Sequence, residues 1–233
     1  HNQLAGSREC LQKTRGTGIR CLSGVELDAQ DFGINFHILG YGVDLENGQF
    51  QEFVEANRLR LERVNELLIE KMEHAGEPVS LDEYRQFSYD RRLGGWKALH
   101  YFAAKDLVAD FKQGFLMYAR YHHDYCCVGF PPVREVVRQI QAAKGKAILA
   151  HPGKVIPAAK LSEVLTAVMA EGLDGIECWY PSQDAGTTQI CVNYCRERDL
   201  MMTAGADCHG SFETTKIGQL KTPIAQLVLK DWI

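Results

Sequence analysis

Five short apolar runs punctuate the chain, and each holds a polar residue that a buried strand does not need for packing. Ile19–Leu27 carries Glu26, Asn35–Tyr41 carries His37, Ala147–His151 ends in His151, Asp174–Tyr180 holds Glu177, and Met201–His209 closes on Asp207 and His209. Runs of this length and composition predict buried strands. Between them, Ala158–Glu171 sets Leu161, Val164, Leu165 and Val168 at helical spacing, and Thr187–Arg198 reads as another helix. Strand and helix in alternation predict an α/β protein built on a parallel sheet or barrel.

The stretch from Asn47 to Tyr125 has a different period. Gln49–His74 predicts a long charged amphipathic helix with Phe53, Leu59, Val64, Leu67 and Leu68 on its apolar side, stopped by Gly76-Glu77-Pro78. Ser80 then reads as an N-cap, with Glu83 placed to complete a capping box. A third helix is expected to start near Gly95 and a fourth to cover Leu107–Tyr121. An all-helical subdomain at 47–125 is thus predicted within a barrel domain formed by 1–46 and 126–233. Internal repeats and low-complexity tracts are absent from the sequence.

Composition narrows the class. With 233 residues, 45% hydrophobic and 24% charged, the chain has the profile of an ordinary folded domain. Its formal net charge of -4 gives no general attraction for polyanions, which disfavours duplex DNA as a partner. Short anionic substrates stay compatible, because metal ions can supply positive charge locally. The cysteines show no Cys-x-x-Cys pair, and no apolar run reaches the roughly 18 to 20 residues of a membrane span. No signal-peptide pattern opens the chain. A cytoplasmic protein with reduced thiols and no membrane partner is expected. The first residue is His1, so the sequence reads as a fragment or a trimmed chain.

The chemistry lies in the polar residues of the strands. At the carboxyl ends of parallel strands, loops converge where α/β folds build their sites. Glu26, His37, His151, Asp207 and His209 all sit at or near such positions. Imidazole nitrogen combined with carboxylate oxygen suits manganese, iron or zinc. Asp207 and His209 fall two apart, on one side of an extended segment, whereas His151 is left at a strand tip by Pro152. A lone histidine at a strand end is usually a packing residue, but several such residues with two carboxylates favour a shared site. Cys208 alternates to the other side and reads as packing. His122-His123-Asp124 reads as a solvated helix end, and His74 and His100 as surface or packing residues. Glu177 is open between a metal contact and a pairing beneath the site. The chain has no Gly-x-Ser-x-Gly elbow, no Walker loop and no Gly-x-Gly-x-x-Gly after a strand.

With these motifs in this order, the sequence resembles the polymerase-and-histidinol-phosphatase (PHP) family, in particular its small stand-alone phosphoesterases acting on nucleotides. His1-Asn2-Gln3-Leu4-Ala5-Gly6 is similar to the tail of that family's Thr-Asp-His motif, and Gly24-Val25-Glu26 to its Gly-(Val/Ile)-Glu motif. His37-Ile38-Leu39-Gly40-Tyr41, Leu149-Ala150-His151-Pro152-Gly153 and Asp207-Cys208-His209-Gly210 are similar to its later ones. The resemblance implies a distorted (β/α)7 TIM-like barrel with a helical insertion. The strand bearing the family's His-x-His motif would precede His1 and is missing from this sequence.

It also implies two or three divalent metal ions, Mn2+ first with Fe2+ or Zn2+ as alternatives, ligated by His1, Glu26, His37, His151, Asp207 and His209. Glu26, His151 and Asp207 would carry catalysis. Where many relatives have Arg-Pro-His, this chain has Arg91-Arg92-Leu93-Gly94-Gly95-Trp96-Lys97. Arg91, Arg92, Lys97 and Lys154 are candidate phosphate contacts, with a solvated basic turn around a buried Trp96 as the equal alternative. The implied activity is hydrolysis, by a metal-activated hydroxide, of a nucleoside 3′,5′-bisphosphate or of short RNA from its 5′ end. A histidinol-phosphate phosphatase and a catalytically silent metal-binding barrel are the alternatives.

Overall fold

Only Phe32 and Gly33 separate the first two strands, β1 (Gly24–Asp31) and β2 (Ile34–Tyr41), and both take positive φ, 53° and 70°. A two-residue loop with both residues left-handed matches the twist of a hairpin, so β2 runs antiparallel to β1. This corrects the expectation of a parallel sheet at this end, because a parallel crossover needs a dozen or more residues. The computed structural model describes residues 1–210 and 214–230. Among these, β1, β2, β3 (Lys146–Leu149), β4 (Gly175–Trp179) and β5 (Met201–Ala204) form one sheet in that order. β2 and β3 are antiparallel, whereas β3, β4 and β5 are parallel.

The helices in chain order are α1 Ala5–Thr14, α2 Gly48–His74, α3 Leu81–Gln86, α4 Lys97–Ala104, α5 Phe111–Arg120, α6 Val133–Ala142, α7 Pro152–Val155, α8 Leu161–Met169 and α9 Ala185–Glu197. Crossovers through α8 and α9 make β3 to β5 a βαβαβ unit, as the alternation predicts. By contacts the chain divides into two compact units. One comprises His1–Leu59, Gly129–Gly205 and Leu220–Ile233, the other Arg60–Val128 and Ala206–Gln219. No helix among the described residues is long and apolar enough to cross a membrane.

In the first unit the sheet has two unlike faces. Val25, Leu27, Ala29, Phe36, Ile38, Leu149, Ile176 and Met202 belong to the buried core, with Val136, Val137 and Ile140 of α6 and Leu165 and Val168 of α8. Alternation and register put Glu26, Asp28, His37, Leu39, Tyr41, Glu177 and Thr203 on the opposite face. One face therefore supplies the folding energy and the other is free to hold polar groups.

The second unit packs the later part of α2, with Leu68, Ile69 and Met72, against Tyr84 of α3, Leu99 and Phe102 of α4 and Met117 and Tyr118 of α5. The apolar stripe of α2 runs through Phe50, Val54, Val64 and Leu68, which leaves Leu59 more than half exposed, contrary to its predicted place. Ser80 is the N-cap of α3 but makes no side-chain capping bond. The expected capping box does not form because the Tyr101 hydroxyl accepts the Ser80 N–H at 3.0 Å, the bond that Glu83 would have made. Glu83 instead accepts from Tyr101 at 3.2 Å and pairs with Lys105.

Ile38→Ala, in the fully buried face of the central hairpin, is expected to cost about 2–5 kcal/mol of stability, whereas Leu59→Lys should change it by less than about 0.5 kcal/mol. Urea denaturation followed by circular dichroism checks both; equal effects would contradict the assigned packing.

Candidate functional site

The hairpin register sets Asp28 directly across from His37 and Glu26 across from Leu39, so two carboxylates and an imidazole share a face within two residues of one another. His37 Nδ1 lies 2.9 Å from Glu26 Oε1, and its Nε2 lies 3.5 Å from Asp28 Oδ1. Both ring nitrogens of His37 therefore face acidic oxygen.

His1 reaches the same face because Asn2 is fastened along the edge of β1. The Asn2 N–H donates to the Glu26 carbonyl at 2.8 Å, and its side chain both accepts from the Asp28 N–H at 3.2 Å and donates to Asp28 Oδ2 at 2.6 Å. The clamp holds Asn2 at φ 51°, a conformation that asparagine tolerates better than most residues. His1 Nε2 then stands 3.2 Å from Glu26 Oε2 and its Nδ1 3.7 Å from Asp28 Oδ2. Its ring meets that of His37 edge-on at 4.5 Å.

His151 comes from the other half of the sheet. β3 ends at Leu149, and Pro152 opens α7, leaving His151 as N-cap with φ 27° and ψ 58°. Its Nε2 lies 3.2 Å from Glu26 Oε1 and 3.3 Å from His37 Nδ1. Its Nδ1 is buried and has no hydrogen-bond partner among the described residues. Ligand-capable atoms of Glu26, His37 and His151 all lie within 4.8 Å of one another, as do those of His1, Asp28 and His37. Of the predicted ligands, the structure thus brings together His1, Glu26, His37 and His151.

Asp28 was not among the residues singled out in the sequence, although Glu26-Leu27-Asp28 repeats the same i, i+2 logic as Asp207-Cys208-His209. Asp28 is 1% exposed, and its carboxylate also accepts from Asn35 Nδ2 at 2.8 Å. Asn57 of α2, likewise buried, donates to the Asp28 carbonyl at 2.7 Å and to Asn2 Oδ1 at 3.2 Å. The signal for Asn57 was a polar residue in the apolar stripe of an amphipathic helix.

Electrostatics follow from this crowding. Burial alone raises the Glu26 carboxyl, but hydrogen bonds and charge from His151 and His37 outweigh it and hold the group below its ordinary 4.5. Asp28 behaves alike: burial raises it, whereas His37, Asn35 and Asn2 bring it below its ordinary 3.8. For His37, burial lowers the value, but Asp28 and Glu26 more than reverse this and lift it from 6.5 to about 10. Without a cation, the proton on His37 compensates the carboxylates.

The other predicted residues are placed as follows. Asp207 and His209 belong to the helical unit by contacts, although they follow β5 within a few residues. Asp207 has φ 49°. His209 Nδ1 lies 2.8 Å from the Asp207 carbonyl, which can only accept, so Nδ1 donates this bond. The His209 ring stacks on Trp96 at 4.9 Å. Arg91 and Arg92 form a short 3-10 turn, where Arg92 pairs with Asp90 at 2.6 Å. Lys97 opens α4, 3.5 Å from Glu62 and 4.5 Å above the Tyr84 ring. Lys154, in α7, has its Nζ 5.8 Å from the centre of the Tyr180 ring.

His100, read as a surface or packing residue, is buried, donates to the Gly94 carbonyl at 2.8 Å and stacks on Tyr89. His123 just beyond α5 donates to the Val64 carbonyl at 2.7 Å. Glu177 is buried and its Oε2 accepts the His151 N–H at 3.0 Å.

No protein-family model matches the chain. It is 24% identical over 211 residues to a 5′-3′ exoribonuclease of Haemophilus influenzae, covering 90% of this chain and 77% of that protein. To a phosphoribosyl 1,2-cyclic phosphate 1,2-diphosphodiesterase of Eggerthella lenta it is 25% identical over 220 residues, covering 91% of this chain and 81% of that one. Among solved structures it is similar to a candidate metal-dependent phosphoesterase of Bifidobacterium adolescentis, with TM-score 0.77 and 21% identity, covering 97% of this chain and 81% of that one. An amidohydrolase of Chromobacterium violaceum solved with sulfate and no metal gives TM-score 0.74 at 21% identity, over 93% of this chain and 78% of that one. The solved structures share the mixed α/β fold. The class that the relatives define is a hydrolase of phosphoric esters.

The shifts fix the pH response of the metal-free protein. Because His37 is raised, its contribution is complete below 6.5 and is lost as pH climbs toward about 10. Because Glu26 and Asp28 are lowered, theirs is present above 4.5 and 3.8 and is lost as pH falls below those values. Thermal melts in chelator should show Tm declining between pH 7 and 10, with the slope reduced in His37→Asn; an unchanged slope in that variant would contradict the assignment.

Proposed function

We propose that this chain is a metal-dependent phosphoesterase that hydrolyses phosphate esters of small nucleotides, such as nucleoside 3′,5′-bisphosphates, or trims short RNA from its 5′ end. The observation that carries this reading is the meeting of Glu26, His37 and His151, from three places in the chain, with donor atoms within 4.8 Å. The exoribonuclease and diphosphodiesterase names of relatives that align over nine-tenths of the chain support it. The TM-scores support reading the described sheet as part of a distorted (β/α)7 barrel.

The donor set fits divalent cations. Two ring nitrogens 3.3 Å apart, both on one carboxylate oxygen, are better organised by a shared cation than by hydrogen bonds alone. Mixed imidazole and carboxylate donors favour Mn2+, Fe2+ or Zn2+, and we assign two or three ions with Mn2+ first. Glu26 would hold two of them, a role supported by Oε1 facing His37 and His151 whereas Oε2 faces His1. Asp28 extends the set toward His1 and His37, and we assign Asp207 and His209 to the same centre.

Bound divalent cations supply Lewis acidity, lowering the pKa of water and neutralising charge on phosphate oxygens. The protein's part is to hold the ligands in place and to orient the ester. We assign the phosphate contacts to Arg91, Arg92, Lys97 and Lys154; Arg92 pairs with Asp90 and Lys97 with Glu62. A second reading, a cyclic phosphodiester of ribose as substrate, is favoured by the name of the Eggerthella lenta relative.

Metal analysis of purified protein should find Mn2+, Fe2+ or Zn2+, and added Mn2+ should release phosphate or nucleotide from a panel of bisphosphates, short RNA and a ribose 1,2-cyclic phosphate. Glu26→Gln should lower kcat/KM by at least about 100-fold, beyond the roughly 10- to 100-fold cost of losing an outer partner, because Glu26 would touch the ions directly. Absence of bound metal, or full activity in that variant, would overturn the proposal.

Metal binding should also displace the His37 proton. Calorimetry at pH 8 in buffers of different ionisation enthalpy should report release of about one proton per Mn2+ at this ligand, since His37 titrates near 10 in the metal-free chain. A heat independent of the buffer would count against His37 as a ligand.

A further inference from the structure

We infer that Glu177 is a positioning residue whose carboxylate locks the His151 backbone in the conformation that aims its ring at Glu26 and His37, an inference that rests on the metal-dependent reading. His151 is a non-glycine residue at φ 27°, immediately before a proline, where the chain has little reason to stay unless something over-determines it. Two contacts do so. Pro152 starts α7, and the His151 N–H donates to Glu177 Oε2 at 3.0 Å.

Glu177 is only 4% exposed, and its backbone is fixed between β3 and β5, with Thr203 as its partner in register. Its second oxygen is accommodated by an absence. A Cβ at Gly205 would fall 2.1 Å from Glu177 Oε1, so no other residue fits at position 205 without displacing the carboxylate. The Gly205 N–H in turn donates to the Trp179 carbonyl at 3.1 Å, which fixes the end of β5 against β4. Among the described residues, neither ligand-capable cluster includes Glu177, and its Oε2 is turned to the His151 N–H.

The interaction needs an acceptor at this point and does not need a ligand. A glutamine there keeps a carbonyl oxygen for the His151 N–H, whereas an alanine leaves that N–H unpaired and the strained backbone free to relax. Gly205→Ala keeps the carboxylate but pushes it off its position.

The test is the affinity of the full chain for Mn2+ alone, read from the electron paramagnetic resonance signal of the free aqueous ion, with far-UV circular dichroism and Tm in chelator as controls. Glu177→Ala and Gly205→Ala should weaken affinity about 10- to 100-fold, and Glu177→Gln should stay within about threefold of the parent. If Glu177→Ala does not fold, Gly205→Ala and Glu177→Gln decide. Parent-like affinity in the folded alanine variants overturns the inference, and so does a Glu177→Gln loss as large as that of Glu177→Ala, which would make charge the requirement. A parent chain that binds no Mn2+ is a separate result: it removes the metal reading itself, and this inference with it.

Discussion

Burying two carboxylates on one strand face is the constraint around which the first unit is arranged. Glu26 and Asp28 lie two residues apart on β1, and an uncompensated buried charge is among the costliest things a fold can contain. Each surrounding device answers that cost. The Asn2 clamp, the Asn35 amide and the three imidazoles of His1, His37 and His151 direct donors or positive charge at the pair, and Asn57 holds the Asn2 amide and the Asp28 carbonyl in place. A cation would do the same work with a smaller set of contacts, which is why this arrangement suits metal binding.

The precision of the site has two sources. Across the hairpin it is a matter of register, set by the left-handed Phe32-Gly33 turn; slipping by one residue would turn Glu26 and Asp28 away from His37. At the other side it is a matter of backbone conformation, because His151 follows its strand and is aimed by the N-cap geometry of a short helix. The helix-packed face of the sheet absorbs the folding energy, so polar residues could accumulate on the opposite face without loss of the core.

Much of this was legible from single residues. The strands around His37, His151 and Glu177, the long helix to His74 and the helical character of the middle of the chain follow from period and punctuation. The pairing of β1 with β2 was not, because Phe32 is an unusual residue for a left-handed turn position and hid the hairpin. Asp28 was passed over for a similar reason: it sits inside an apolar run, where a carboxylate is read as an anomaly until its partners are seen. The supporting amides were invisible in principle, since Asn2 and Asn57 meet only through tertiary structure. Leu59 shows the reverse error, an apolar residue counted into a stripe that α2 carries elsewhere.

Glu26 and His151 are 125 residues apart in sequence, yet their side chains meet at 3.2 Å. An ion shared between them would act as a cross-link of that span, removing conformational freedom from the unfolded chain much as a long-range disulfide does. Loading the centre would therefore fasten the amino-terminal hairpin to the βαβαβ half of the sheet, so that catalytic competence and resistance to unfolding would be acquired in one event.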